Sequence, residues 1–262
     1  AQRDGFFHRV IGFVGADNLS LIFALIALVF LITVVSGWFG FSGGDKFFSW
    51  QNIMNSLAQA VVVVGLLAMG ETVVIIAGAL DISIGSIASI GSVVSASVLV
   101  GVGIGAGSFI PSGNVWIAVA AGIIAGMIAG AINGFIVTVL RVNPIIATLG
   151  TLAAFGGIAF LLVPAGRPGG VLTQPEFTWL AQGRFLTDAP VPPLGGSKWT
   201  GIPVLTVILV AVAILAHILM TYTDFGRAIY AIGGNATAAR LAGINLSRVR
   251  VLMYVFSGAI AG

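Results

Sequence analysis

Polar positions are so sparse along this chain that they act as punctuation between long apolar runs. No charge falls between Asp17 and Asp45, and Leu19–Trp38 is apolar almost throughout. Twenty helical residues reach about 30 Å, the thickness of a bilayer's hydrocarbon core. The pattern recurs at Ser56–Ile76, Ser83–Ile104, Val115–Leu140, Pro144–Val163 and Ile202–Tyr222, and a last run starts near Val251 and is cut off at Gly262. The predicted fold class is all-α: residues 1–262 form one polytopic transmembrane helical bundle, with six full spans and the start of a seventh. Two connectors are long. Residues 164–201 are rich in Pro and Gly and carry Trp179 and Trp199, which predicts a loop or small cap lying against the membrane surface. Residues 223–250 separate the sixth run from the seventh.

Charge orients the bundle. With the N-terminus inside, the inner segments hold seven basic residues (Arg3, Arg9, Arg141, Arg227, Arg240, Arg248, Arg250) and the outer ones four (Lys46, Arg167, Arg184, Lys198). Cytoplasmic loops carry the Lys/Arg excess, so 223–250 is expected in the cytoplasm and 164–201 outside it. The first run follows Arg3, Asp4, His8, Arg9 and Asp17, is as long as a full span and lacks a small-residue cleavage site. It reads as a retained helix and not a signal peptide. The lack of an initiating Met suggests processing, or a sequence that starts inside its gene.

Composition agrees with the pattern. The 262 residues are 58% hydrophobic and 7% charged, with a mean hydropathy of +1.14, against about 25% charged in soluble domains. A lipid-facing surface needs no charge. The net charge of +3 is scattered, not clustered as a nucleic-acid surface would require. There is no cysteine, which excludes disulfides, thiol chemistry and Cys-ligated metal. No Gly-x-x-x-x-Gly-Lys-Ser/Thr occurs, so ATP is not held by a P-loop, and there is no His-Glu-x-x-His metal motif. The 101–106 run resembles a dinucleotide fingerprint, but no strand–helix context surrounds it. The lone His217, near the inner end of the sixth run, is read as a packed or interface residue. No catalytic or metal-ligating residue is predicted.

Small residues mark helix contacts. Gly122, Gly126, Gly130 and Gly134 recur every fourth position, a stripe that lets backbones approach closely where lipid offers no hydrophobic drive. Ser83, Gly85, Ser86, Ala88, Ser89, Gly91, Ser92 and Ser95 give the third run a similar character. Tight packing is the ordinary explanation, and a polar lining to a pathway is the alternative for one face.

Three stretches carry candidate chemistry. Glu71 and Asp81 are carboxylates in or beside spans, where each needs a reason. Asp81 can cap a helix start through the amides of Ser83 or Ile84, which is set ahead of substrate contact. Glu71 lies about five residues inside the second run, roughly 7 Å from its end, and can bond neighbouring serines or line a cavity. Arg141-Val142-Asn143-Pro144 predicts a tight inner turn and a new helix, because Pro144 lacks an amide donor and disfavours a helical residue before it. In the third stretch, Asn235 can cap a helix of about two turns, Gly243 suits its C′ position, and Ser247 can cap the next span. A connector needs only a few residues, so a long one with capped ends points to docking. Lipid contact by its arginines is the simpler alternative.

These residues resemble the membrane-spanning permeases of bacterial ATP-binding-cassette monosaccharide importers, of the ribose, xylose and galactose type. The resemblance is carried by Gly78 to Ser86, by Asn143 to Gly150, by 166–168 and by Phe225 to Gly243, in that order, and covers most of the chain from about residue 50. It implies a permease that pairs with a second copy, receives sugar from an extracytoplasmic binding protein and is driven by a cytoplasmic ATPase. ATP and Mg would belong to that ATPase, with no cofactor on this chain. Under it the 223–250 loop holds a short cytoplasmic coupling helix, with Gly226, Arg227, Gly233, Asn235, Ala239, Arg240 and Gly243 as ATPase-coupling residues. Glu71, Asp81, Ser83, Asn133 and Thr148 are the expected pathway residues. The family usually carries Glu at one or both of the positions held here by Ala236 and Thr237, and it continues through several more spans, so truncation at the C-terminus is expected. Other readings stay open: an ion-coupled secondary transporter using Glu71 or Asp81, an importer of a nucleoside or amino acid, or a membrane assembly protein with no pathway.

Overall fold

The computed structural model describes residues 16–38, 49–100, 114–162, 175–194 and 197–262. Arg3, Arg9, Lys46, Arg167, the 101–106 run and the 166–168 segment lie outside the described residues. The chain folds as two compact units, one of residues 1–58 and 185–202, the other of residues 59–184 and 203–262.

The first unit contains α1 (Ala16–Trp38) and a π-helical turn, Asn52–Leu57. Most of the α1 side chains from residue 21 to 35 are exposed, Phe23 and Phe30 among them, the condition of a helix whose solvent is lipid. Trp50 stands edge-on to Trp199, ring centroids 4.8 Å apart. Its indole N–H donates to the Pro192 carbonyl at 2.8 Å, and that of Trp199 donates to Leu186 at 2.7 Å. Both ring nitrogens are thus satisfied, as an aromatic belt requires of groups that leave bulk water.

The second unit is the helical bundle: α2 (Ala58–Ile76), α3 (Ile84–Val100), α4 (Val115–Thr138), α5 (Pro144–Leu162), a short α6 (Pro175–Gln182), α7 (Val204–Tyr222), α8 (Asp224–Leu241) and α9 (Leu246–Ala261). Two-residue strands, β1 (Arg184–Phe185) and β2 (Ile202–Pro203), bracket the cap segment. Four described helical stretches are long and apolar enough to cross a membrane: Asn52–Ile76, Val115–Thr138, Pro144–Leu162 and Val204–Tyr222. The runs at Leu21–Val35 and Ile84–Leu99 are apolar but shorter. The all-α polytopic class holds. The 164–201 stretch is more structured than a bare loop, since α6 forms within it.

Local chemistry sets the ends of the helices. The Asn114 side chain caps α4 by accepting from the amides of Trp116 and Ile117. The turn before Pro144 has Arg141 at φ +57, and Asn143 accepts from the Ile145 amide at 2.9 Å. Helix α2 ends in a Schellman motif: Ala79 N–H donates to the Val74 carbonyl, Gly78 N–H to that of Ile75, and Gly78 sits at φ +77. One expected cap is corrected. Asn245, not Ser247, caps α9 by accepting from the Arg248 amide. Asparagine has the stronger cap preference and stands first in the chain, so the helix starts at Leu246, five residues ahead of the apolar run.

The seam between α4 and α9 is the most extensive in the bundle. A Cβ built on Gly126 would overlap the Gly258 carbonyl, one on Gly130 the Tyr254 carbonyl, and one on Gly134 would fall 2.9 Å from the Val251 Cα. The four-residue glycine stripe is thus the groove into which α9 lays its backbone. Gly91 on α3 approaches Gly262 as closely, so α3 closes on the same helix end.

The two ends of the bundle differ. At one end, residues from all three of its connectors enter a single core: Ala77 and Ala79, Val142, and Phe225 with Ile229, packed with Val137, Met220, Met253 and Tyr254. At the other, Phe177 and Leu180 of α6 cover Leu99, Val115 and Ala118. This is the alternation an up-and-down bundle demands, with 77–83, 139–143 and 223–245 on one side.

Candidate functional site

Two features of the connector end carry candidate chemistry. The first begins at the Schellman turn. After Gly78 the chain folds back on α2 far enough for the Asp81 amide to donate to Glu71 Oε1 at 3.0 Å. Asp81 is 2% exposed. Its Oδ1 accepts from the Ser83 amide at 3.0 Å and the Ser83 hydroxyl at 2.6 Å, as expected of a cap at the start of α3. Asn133 reaches in from α4: its Nδ2 lies 3.3 Å from each Asp81 carboxylate oxygen and 2.7 Å from Ser83 Oγ. The Tyr254 hydroxyl donates to the Leu80 carbonyl at 3.3 Å, tying the same connector to α9. A carboxylate removed from water is stable only when its lone pairs find donors, and Asp81 draws them from two elements.

Asp81, Ser83, Asn133 and Thr148 are all buried. The first three form one hydrogen-bonded knot. Thr148 stands apart, its hydroxyl donating to the Pro144 carbonyl of its own helix at 2.8 Å. Glu71 is half-buried, and its Oε2 has no partner among the described residues, so it is open to one further donor. The third-helix stripe divides by face. Ser83 and Ser86 are buried, with Ser86 Oγ donating to the Leu152 carbonyl at 2.9 Å, whereas Gly85, Ser89 and Ser92 are exposed along one side.

The second feature is the 223–245 segment. Helix α8 is two helices joined at Asn235, whose backbone is extended (φ −160, ψ 101). The Asn235 side chain accepts from the amides of Thr237 and Ala238, both at 3.0 Å, and so caps the second piece. That piece ends in another Schellman motif: Ile244 N–H to the Ala239 carbonyl, Gly243 N–H to that of Arg240, and Gly243 at φ +87. A short helix cannot hold itself together in water, so both caps and a packed face are needed. The face is supplied by Ala239, buried with Ile232 and Leu246, with Ala236, Ile244 and Val249 alongside.

The sequence-selected residues of this segment do different things. Asn235 and Gly243 shape the short helix. Gly226 and Gly233 lie where backbones meet, and Ala239 seats the helix on the bundle. Arg227 is exposed and paired with Asp224, while Arg240 is exposed beside the C-terminal cap. Sequence reading missed Leu241, which is 85% exposed and projects from the capped helix beside Arg240. An apolar side chain this bare on a polar connector is itself a signal, legible only once Ala239 is known to take the inward face.

Residues 52–262 match the family model described as branched-chain amino acid transport system / permease component. Similar curated proteins include the ribose import permease protein RbsC of Bacillus subtilis, 32% identical over 246 residues, which are 94% of this chain and 66% of that protein. The L-arabinose transport system permease protein AraH of Escherichia coli is 34% identical over 212 residues, 80% of this chain and 57% of its own length. The D-allose transport system permease protein AlsC of Escherichia coli is 29% identical over 245 residues, 94% of this chain and 67% of that protein. The chain therefore spans about two thirds or less of the length of the first two. No solved structure matches it.

Proposed function

We propose, for a chain that belongs to the family of branched-chain amino acid transport system permease components, that it is a membrane-spanning subunit of an ATP-driven importer in the bacterial cytoplasmic membrane. It passes a monosaccharide from an extracytoplasmic binding protein, along a path shared with a second permease copy, and takes its drive from a separate cytoplasmic ATPase. ATP and Mg bind that ATPase, and this chain performs no catalysis. The sugar class rests on the names of the relatives, which are permeases for ribose, L-arabinose and D-allose.

The observation that carries the reading is the doubly capped helix after Asn235, which buries Ala239 and turns Arg240 and Leu241 outward at the connector end of the bundle. A cap at each end and a buried face fix the helix in place, as docking into a partner's groove requires and lipid contact by arginines does not. Gly243→Val tests it. The substitution forces a β-branched residue into φ +87 and misplaces the cap. ATP-dependent sugar uptake in membrane vesicles should be lost, while the binding protein's affinity for sugar is unchanged. Uptake at the wild-type rate would refute the coupling role, and uptake that needs a proton gradient but no ATPase would favour an ion-coupled carrier.

A further inference from the structure

On one face of the first half of α8 lie Gly226, Ile229 and Gly233, three, four and seven positions apart. Ile229 is fully buried between the two glycines. A Cβ on Gly226 would overlap the Met220 carbonyl at the end of α7. A Cβ on Gly233 would overlap the Ile76 carbonyl and fall 3.6 Å from the Ala77 Cα. The helix is therefore pressed backbone-to-backbone against the bundle at both of its ends. Ile76 is the last residue of α2, beyond the Val74 and Ile75 carbonyls that the Schellman turn satisfies, and Gly233 meets its carbonyl with no side chain between.

Two residues beyond Ile76 the chain turns at Gly78, and three further on it is tied down by the Asp81 knot. Glu71 holds the Asp81 amide, Asn133 holds the Asp81 carboxylate, and Tyr254 holds the Leu80 carbonyl. Contact at Gly233 thus touches a segment fixed to α2, α4 and α9 at once. A backbone contact with no side chain between transmits displacement with little slack, because there is no rotamer to absorb it.

We propose that Gly233, through the Ile76 carbonyl, and Asp81, through Asn133, are positioning residues that make the 77–83 connector the link by which the 223–245 segment moves the spans. This deepens the importer reading and rests on it. The capped helix after Asn235 docks, and the helix before it bears on α2. Docking and transmission are thereby divided between the two halves of α8, with Asn235 as the joint.

The test compares two adjacent glycines in the full-length permease, assembled with its ATPase and supplied with binding protein and sugar. Gly233→Ala and Gly234→Ala have the same effect on helix propensity, yet a Cβ on Gly234 meets nothing within 4 Å. G233A should still copurify its ATPase, but stimulation of ATP hydrolysis by loaded binding protein should fall to background and uptake at least tenfold. G234A should keep both. Asp81→Asn, which leaves α8 untouched, should give the same split between assembly and stimulation. G233A transporting like G234A overturns the inference, and so does loss of ATPase copurification in G233A, which would make Gly233 a docking residue. If G233A does not reach the membrane, D81N decides: normal stimulation in that variant overturns the link. A wild-type protein that copurifies no ATPase, or takes up sugar without ATP, instead defeats the importer reading itself.

Discussion

A carboxylate among membrane spans must find donors, and Asp81 finds them in the Ser83 amide, the Ser83 hydroxyl and the Asn133 side-chain amide. The first two could be read from the sequence, because Asp-x-Ser at a helix start is a local motif. The third could not, since Asn133 is 52 residues away and its register on α4 is set by the glycine stripe beneath it. The pair makes a sharp prediction. Asp81→Asn sets donor against donor and Asn133→Asp sets carboxylate against carboxylate, each costing about 1–3 kcal/mol. The double variant restores one donor and one acceptor. Thermal unfolding in detergent should show both single variants destabilised and the double recovering at least half of the loss. At Gly243, φ +87 was also legible in advance as a C′ position. Gly243→Ala should cost about 1–2 kcal/mol by the strain of the left-handed region, measurable as a lower unfolding midpoint.

At the scale of the element, packing in lipid is read from what is missing. The stripe from Gly122 to Gly134 announces a close neighbour, and the structure identifies it as α9, which answers with Gly258 opposite Gly126. Sequence alone could not name the partner because every span carries small residues, and two glycine faces look alike until one of them meets a backbone. Gly150 and Gly157 on α5 show the contrast: a Cβ at either meets nothing. Gly126→Leu should therefore cost on the order of 3 kcal/mol or more through overpacking, seen as loss of folded protein in size-exclusion chromatography after extraction. Gly150→Leu should change stability by no more than about 0.5 kcal/mol. The Ser247 assignment failed for a related reason. Two cap-competent residues stand two apart, and the nearer one adjoins the apolar run from Val251, while the helix extends through Arg248 and Arg250 back to Asn245.

Across the whole molecule, the packing groups the connectors by end, and the arginine count supplies the expectation of which end is cytoplasmic. Arg141 and the basic residues of 223–250 belong to connectors that share one core, and α6 covers the opposite end. Because the chain has no cysteine, single replacements can report sidedness cleanly. Thr237→Cys should react with a membrane-impermeant maleimide only from the cytoplasmic face, and Glu176→Cys only from the outside; labelling of both from one side would contradict the alternation. That connectors 77–83, 139–143 and 223–245 share one end was legible in the sequence, because it follows from the alternation of apolar runs, a one-dimensional quantity. The fold-back at 77–83 was invisible because it depends on where α4 and α9 stand. The α4–α9 seam also bears on how the molecule is made. Gly130 is synthesised roughly 120 residues before the Tyr254 backbone that fills its groove, which at ribosomal speed is about 6–24 s. During that interval the nascent chain carries an open slot along α4, which stays open until the late helix α9 fills it. Arresting translation before residue 246 should leave α4 available to a competing glycine-faced helix, a window for misassembly that closes when α9 arrives.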